Sequence, residues 1–193
     1  MASSAQTIQG LGSGPVRLHA LEIARGLIGE RETLPPGLDG KPLKNQGPIV
    51  ERVARPFLSP HRFDEMLVAG KLQWCAFFVC YCFLEALTQR EDAALIRAWK
   101  HLASGECGAL WERLEGEGWA RPASPADPDP APGDVAFLGH IRDGEMVLTH
   151  VAFVEAPGVP IGTIEGNAGP KADRVWAGLR APDEVAGYAR IPW

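Results

Sequence analysis

Positive charge is scarce in this chain of 193 residues. Lys and Arg number 19 against 24 Asp and Glu, a formal net charge of -5, and no basic run offsets it. That removes the broad electrostatic footprint a nucleic-acid binder needs, so nucleic acid is not an expected partner. Long apolar runs are also missing. The longest candidate, Trp74 to Ala86, is too short for a bilayer and carries Glu85, so no membrane span is expected. The start, MASSAQTIQGLGSGPVR, lacks a basic stretch followed by an apolar core. The expectation is synthesis in the cytoplasm without a signal peptide. Only four cysteines occur, too few for a disulfide scaffold. C-x2-C is absent: Cys80 and Cys82 form C-x-C, without a histidine pair at ligand spacing. No metal and no other cofactor is expected. No dense Asp loop precedes Cys75, and no internal repeat is visible.

What remains is an ordinary globular composition, 46% hydrophobic, in a length that suits one domain. Residues 1–15 are small, polar and Gly-rich and read as a flexible tail; 16–193 read as a single domain. Leu18, Leu21, Ile23, Ala24 and Leu27 recur near helical spacing, an amphipathic first helix. ETLPPGLDGKPLKNQGP is turn-rich, and IVERVARPFL gives a short helix that Pro56 ends or kinks. Trp74 to Leu87 is apolar nearly all round without Pro or Gly, the pattern of a buried helix. DAALIRAWKHLASG and GALWERLEGEG add two more helical stretches, and RPASPADPDPAPGD is a Pro-rich connector. From Asp134 the period changes. DVAFLG, THVAFVEA, GTIEGN, RVWAGLR and EVAGYARIP are short runs bounded by Gly, Pro and Asp. Helices first and about five strands second predict an α+β fold, with the helices packed on an antiparallel sheet.

The stretch QWCAFFVCYCF holds three of the four cysteines. Cys75 falls where the buried helix should begin. There the positive end of the helix dipole favours the thiolate, the reactive form. Cys80 and Cys82 lie deeper and read as small hydrophobes. Cys107, in the loop-like SGECG, is left without a role. A cysteine nucleophile needs a base, and the base needs an orienter. Of five histidines, His150 opens the strand HVAFVE and is the most rigidly held. His140 is expected in a hairpin loop. In the following strand, period two places Thr163, Glu165 and Asn167 on one face, so Glu165 and Asn167 can both aim at His150. Each residue also has a plainer reading: a cysteine of the core, a strand-end histidine, a Gly-Asn turn.

Together these pieces resemble the CHAP family, cysteine- and histidine-dependent amidohydrolases/peptidases related to the NlpC-type peptidoglycan hydrolases. ALEIARGLIGERET is similar to the family's first helix and its I/V-G-x-x-E ending, and KNQGPIVERV to its N-x-G-P-x-V segment. QWCAFFVCYCF is similar to the W-C-A-x-F-V nucleophile helix, THVAFVE to the H-V-x-x-V base strand, IGTIEGNAG to the E-G-N strand, and AGYARIPW to a closing strand. The resemblance spans about Leu18 to Trp193. It implies a papain-like α+β fold, Cys75 as nucleophile, His150 as general base and Glu165 as its orienter, with Asn167 as a fourth polar member. Gln73, Trp74 and Asn45 are implied in the oxyanion site or groove. The implied reaction is cleavage of a peptidoglycan amide. The enzyme would be an N-acetylmuramoyl-L-alanine amidase or a stem-peptide or cross-bridge endopeptidase. The substrate partner is then a peptidoglycan stem peptide or muropeptide. A leaderless hydrolase of this kind suggests a phage lysin or a secreted antibacterial effector that reaches the wall after release or delivery. A holin, a secretion machine or an immunity protein would be its partner. Two alternatives stay open: an inactive wall-binding or structural module on the same fold, and a cysteine hydrolase of another amide.

Overall fold

A computed structural model of the protein describes residues 15–33, 44–124, 130–142 and 145–193. The expected tail up to residue 14, the centre of the loop after the first helix and the centre of the Pro-rich connector lie outside these residues; Pro15 is the N-cap of the first helix. Among the described residues six α-helices precede a sheet: α1 (Val16–Gly26), α2 (Pro48–Ala54), α3 (Pro60–Val68), α4 (Cys75–Gln89), α5 (Ala93–Leu102) and α6 (Cys107–Gly116). The sheet comprises β1 (Ala120–Pro122), β2 (Val135–Arg142), β3 (Glu145–Ala156), β4 (Ile161–Ala168), β5 (Arg174–Arg180) and β6 (Val185–Ala189). The α+β layout is the expected one.

Pro56 acts as its chemistry requires. Lacking an N–H, it ends α2, and the chain continues as one 3-10 turn, Arg55–Phe57. α3 escapes the sequence reading, although its signal is present. Ser59 is the N-cap, its Oγ accepting from the Arg62 N–H at 3.3 Å, and Pro60 follows at the first helical position.

All strand pairs are antiparallel, in the order β1-β6-β2-β3-β4-β5. The sheet thus has six strands instead of about five. The additional one is the three-residue β1, which pairs with β6 at the sheet's edge and is too short to leave a period-two signature. β2 also runs further than DVAFLG, so His140 is not in a loop. It lies within the β2–β3 ladder opposite Val147, and its side chain is exposed.

α4 is the centre of the molecule. Eleven of its fifteen residues are buried, so it is enclosed by α1, α2 and α5 on its helical sides and by β3 and β4 beneath. One apolar core joins these elements. Phe78 and Phe83 of α4 meet Phe153 of β3 with ring centroids 6.3 and 5.6 Å apart, and Trp99 of α5 packs on Phe83 at 4.9 Å. Contacts at these distances add to area burial. The opposite sheet face carries a smaller cluster of Ala136, Leu138, Val154, Ile161 and Val185.

Two glycines set how closely these layers meet. A Cβ on Gly166 of β4 would stand 2.5 Å from Phe78 Cβ and 2.9 Å from Trp74 Cζ3. Only glycine lets α4 settle against β4 at its N-terminal turn. On β2, a Cβ on Gly139 would stand 2.1 Å from the Val147 carbonyl oxygen. That close approach lies beside a β-bulge. Leu138 pairs with His150 and Gly139 with Leu148, leaving Thr149 as the extra residue. A bulge re-aims neighbouring side chains, and this one adjoins His150.

Candidate active site

Cys75 is the first residue of α4, and Trp74 is its N-cap without a side-chain cap. The N-terminal N–H groups of α4 are therefore not taken by a capping side chain, and their dipoles favour an anion there. The segment before Cys75 is fixed from behind. Glu32, buried, accepts the Trp74 indole N–H at 2.7 Å and the Asn45 backbone N–H at 2.9 Å. The Asn45 side chain donates to the Gly70 carbonyl at 2.9 Å. Trp74 is fully buried and edge-on to Phe78. Trp74 and Asn45 thus brace the turn into α4, their polar groups used inward, and neither is among the described residues that line the groove at Cys75. Gln73 is exposed beside Cys75 and does line one.

His150 approaches from β3. Its Nε2 lies 3.0 Å from Glu165 Oε2, which leaves Nδ1 for Cys75, whose thiol is hydrogen-bonded to the imidazole. Of the five histidines, this is the one that reaches Cys75. Glu165 is fully buried. Besides His150 it accepts from Thr163 Oγ1 at 2.6 Å and from Arg180, whose Nε donates to Oε1 at 2.7 Å and whose Nη2 donates to Oε2. A carboxylate removed from water needs donors of this number and charge.

Strand pairing explains how Arg180 arrives. β4 and β5 match Ile161 with Arg180, Thr163 with Gly178 and Glu165 with Trp176. Arg180 must therefore reach along the strand past position 178. A Cβ there would sit 3.0 Å from Glu165 Oε1 and 3.2 Å from Thr163 Oγ1. Gly178 leaves room beside the carboxylate. Glu184 holds the far side of the guanidinium at 3.2 Å.

Asn167 does not share the face of Glu165. The β4–β5 register shifts between Glu165 and Ala168, and Asn167 has φ 56°. The bulge breaks the period-two rule that would have aligned the two side chains, and Asn167 makes no hydrogen bond to His150 among the described residues.

The charges follow from these contacts. The Cys75 thiol is held well below its ordinary pKa. The largest cause is a hydrogen bond from Cys107, whose Sγ is 3.7 Å away. Burial opposes it, while His150 and the Ala76 N–H assist. Burial alone would lower His150, but its bonds to Cys75 and Glu165 outweigh that and raise it to about 9. Burial would raise Glu165, yet Arg180, His150 and Thr163 bring it down to about 2. These shifts all favour the charged forms, a thiolate beside an imidazolium with a carboxylate behind it. Cys80 and Cys82 are different. Both are fully buried, and burial pushes Cys80 to about 12 and Cys82 well above its usual value.

Cys75 opens onto a groove of about 1030 Å³. Leu58, Met66, Phe77 and Leu148 give it apolar walls, and Arg62, Glu65, Lys71, Glu106 and Arg113 give it charges of both signs. Sequence reasoning missed two members of the site, Arg180 and Cys107. Among the described residues no cluster of three or more His, Cys, Asp or Glu side chains is arranged to hold a metal ion. No protein-family model, curated protein or solved structure matches the chain.

Proposed function

We propose that this chain is a cysteine hydrolase of the CHAP type that cuts an amide bond of peptidoglycan through an acyl-enzyme. The observation that carries the reading is the line Cys75–His150–Glu165, a thiolate at a helix N-terminus, an imidazolium on a strand and a buried carboxylate behind it. That order of roles is what nucleophilic acyl transfer requires.

The thiolate of Cys75 attacks the amide carbonyl carbon. Negative charge develops on the carbonyl oxygen, next to the Cys75 N–H and the Gln73 side chain, which stabilise it. His150 gives its Nδ1 proton to the leaving amine, and the thioester forms. Neutral His150 then draws a proton from water, the hydroxide attacks the thioester, and Cys75 leaves as thiolate. Glu165 holds the Nε2–H throughout and favours the cationic ring, while Arg180 and Thr163 keep the carboxylate oriented.

The groove supports the substrate class. It joins apolar walls to Arg62, Lys71 and Arg113 beside Glu65 and Glu106. A stem peptide carries carboxylates and amines on short side chains and suits such a lining. Purified protein should clear a peptidoglycan suspension, and mass spectrometry of the released muropeptides should show one class of new amine end. A new end at the first alanine identifies an amidase; one further along identifies an endopeptidase. Unchanged muropeptides, or clearing by Cys75→Ala at the rate of the unaltered protein, would overturn the proposal.

A further inference from the structure

The thiol of Cys107 has no part in the acyl-transfer cycle, yet it lies 3.7 Å from Cys75, sulfur against sulfur. The contact is built by the fold. Cys107 is the first residue of α6, as Cys75 is of α4, so two helix N-termini meet at one point in the groove. The chain reaches that point by crossing the Phe77 ring at Gly105, where a Cβ would stand 2.1 Å from the ring. Phe77 is itself two residues after Cys75 in α4. Both thiols line the groove, Cys107 being partly exposed. The other two cysteines are fully buried in the core, and Cys80 Sγ is directed at the Ser104 carbonyl, 3.5 Å away.

We propose that Cys75 and Cys107 form an oxidisable dithiol, a modification site at which a hydroperoxide closes a reversible disulfide across the groove. The bond itself does not depend on which amide the protein cuts, or on whether it cuts one. Only the loss of hydrolysis on closure rests on Cys75 being the nucleophile.

The chemistry balances in two steps. The Cys75 thiolate attacks one oxygen of the hydroperoxide; an S–O bond forms, the O–O bond breaks, and the departing alkoxide or hydroxide takes up a proton. Cys75 becomes a sulfenic acid, its sulfur oxidised by two electrons and the peroxide reduced by two. Cys107 sulfur then attacks the sulfenic sulfur. An S–S bond forms, the S–O bond breaks, and the released hydroxide takes the Cys107 proton to become water. In sum, two thiols and one hydroperoxide give a disulfide, an alcohol or water, and one further water. Two equivalents of a small thiol reverse it by exchange, leaving their own disulfide. The sulfurs must approach from 3.7 Å to about 2.05 Å, a shift of roughly 1.7 Å. A neighbour this close intercepts the sulfenic acid before a second peroxide converts it irreversibly.

The test is thiol counting with peptide mapping on the full chain. The reduced protein should give four titratable thiols under denaturing conditions. One to two equivalents of hydrogen peroxide at neutral pH should leave two, with the Cys75 and Cys107 peptides joined at the mass of a disulfide, and dithiothreitol should restore four. In Cys107→Ala and in Cys107→Ser the same dose should leave Cys75 as a dimedone-trappable sulfenic acid or its sulfinic and sulfonic products, not restored by dithiothreitol. Oxidation of unaltered protein to sulfinic acid without a Cys75–Cys107 link overturns the proposal, as does linkage through Cys80 or Cys82. Mass mapping reads the bond directly, so this outcome is independent of whether peptidoglycan is cut.

Discussion

Arg180 grips Glu165 with two parallel hydrogen bonds, Nε to Oε1 and Nη2 to Oε2, from a position four residue pairs along the neighbouring strand. The fork fixes the plane of the carboxylate, and the carboxylate fixes the ring of His150. Arg180 touches no reacting atom, so it is a positioning residue. Arg180→Gln should lower kcat by about 10²-fold with little change in KM, the size of effect that a displaced catalytic group produces. Arg180→Lys should recover only part of the loss, because one ammonium does not reproduce the fork. Equal kcat in all three proteins would remove Arg180 from the mechanism.

The pH profile of hydrolysis should be broad and lopsided. The proposed mechanism needs Cys75 as thiolate and His150 as imidazolium. The acid limb should fall well below the ordinary cysteine range, since Cys75 is lowered by Cys107 and His150. The alkaline limb should fall near 9, where His150 loses its proton. Glu165→Gln removes the charge that supports the imidazolium, so its alkaline limb should move down toward about 6.5. An unmoved limb in that variant would show that His150 does not depend on Glu165.

Folding stability should respond to pH through the same carboxylate. Glu165 has a folded pKa of about 2 against an ordinary 4.5. Between those values the unfolded chain binds the extra proton, so stability rises with pH through that window. The contribution is fully present above 4.5 and is lost as pH falls toward 2. Urea midpoints measured from pH 2 to 6 should climb, and Glu165→Gln should flatten the climb.

Much of this site was legible in the sequence, and what was not has physical causes. Cys75 could be separated from Cys80 and Cys82 because the apolar run has a visible beginning, and a helix start is a local property. His150 and Glu165 stood out because each is a polar side chain in an otherwise apolar run, although β3 begins at Glu145 and His150 lies within it instead of opening it. Arg180 did not, because an arginine at a strand end is commonplace and its partner is chosen by the β4–β5 register, which no single strand encodes. Cys107 reads as a loop residue until α6 is seen to begin on it. Asn167 misled for a related reason: alternation predicts a face only while the ladder is regular, and here a bulge intervenes. Trp74 adjoins Cys75 along the chain and Asn45 does not, but Glu32, supplied by the segment after α1, accepts the indole N–H of one and the backbone N–H of the other, and the Asn45 side chain is spent on the Gly70 carbonyl.

Thiol labelling should rank the cysteines by the same logic. Iodoacetamide at neutral pH should modify Cys75 first, because its thiol is held below the ordinary cysteine range and it lines the groove. Cys80 and Cys82, buried and held protonated, should react only on unfolding. Peptide mapping after partial modification reads the order directly, and early labelling of Cys80 or Cys82 would contradict it.

Gly166 connects the core to the chemistry. It lies between Glu165 and Asn167, and its bare Cα faces Phe78 and Trp74 at the first turn of α4. Gly166→Ala inserts a methyl where 2.5 Å is available, and both neighbours are fully buried, so neither can yield cheaply. Overpacking of this kind costs about 1–3 kcal/mol. The strain should act most on the distance between Cys75, which α4 carries, and Glu165, which β4 carries. Activity should therefore fall more than the loss of folded protein explains, at a temperature where the variant remains folded. Gly26→Ala, at the end of α1 with nothing within 4 Å of the added carbon, supplies the control. It should leave activity unchanged and hold or slightly raise the melting temperature, since alanine costs the unfolded chain fewer states. If both variants kept full activity, the seating of α4 on β4 would not set the catalytic distance, and a lower melting temperature in Gly166→Ala alone would mark that glycine as a packing residue only.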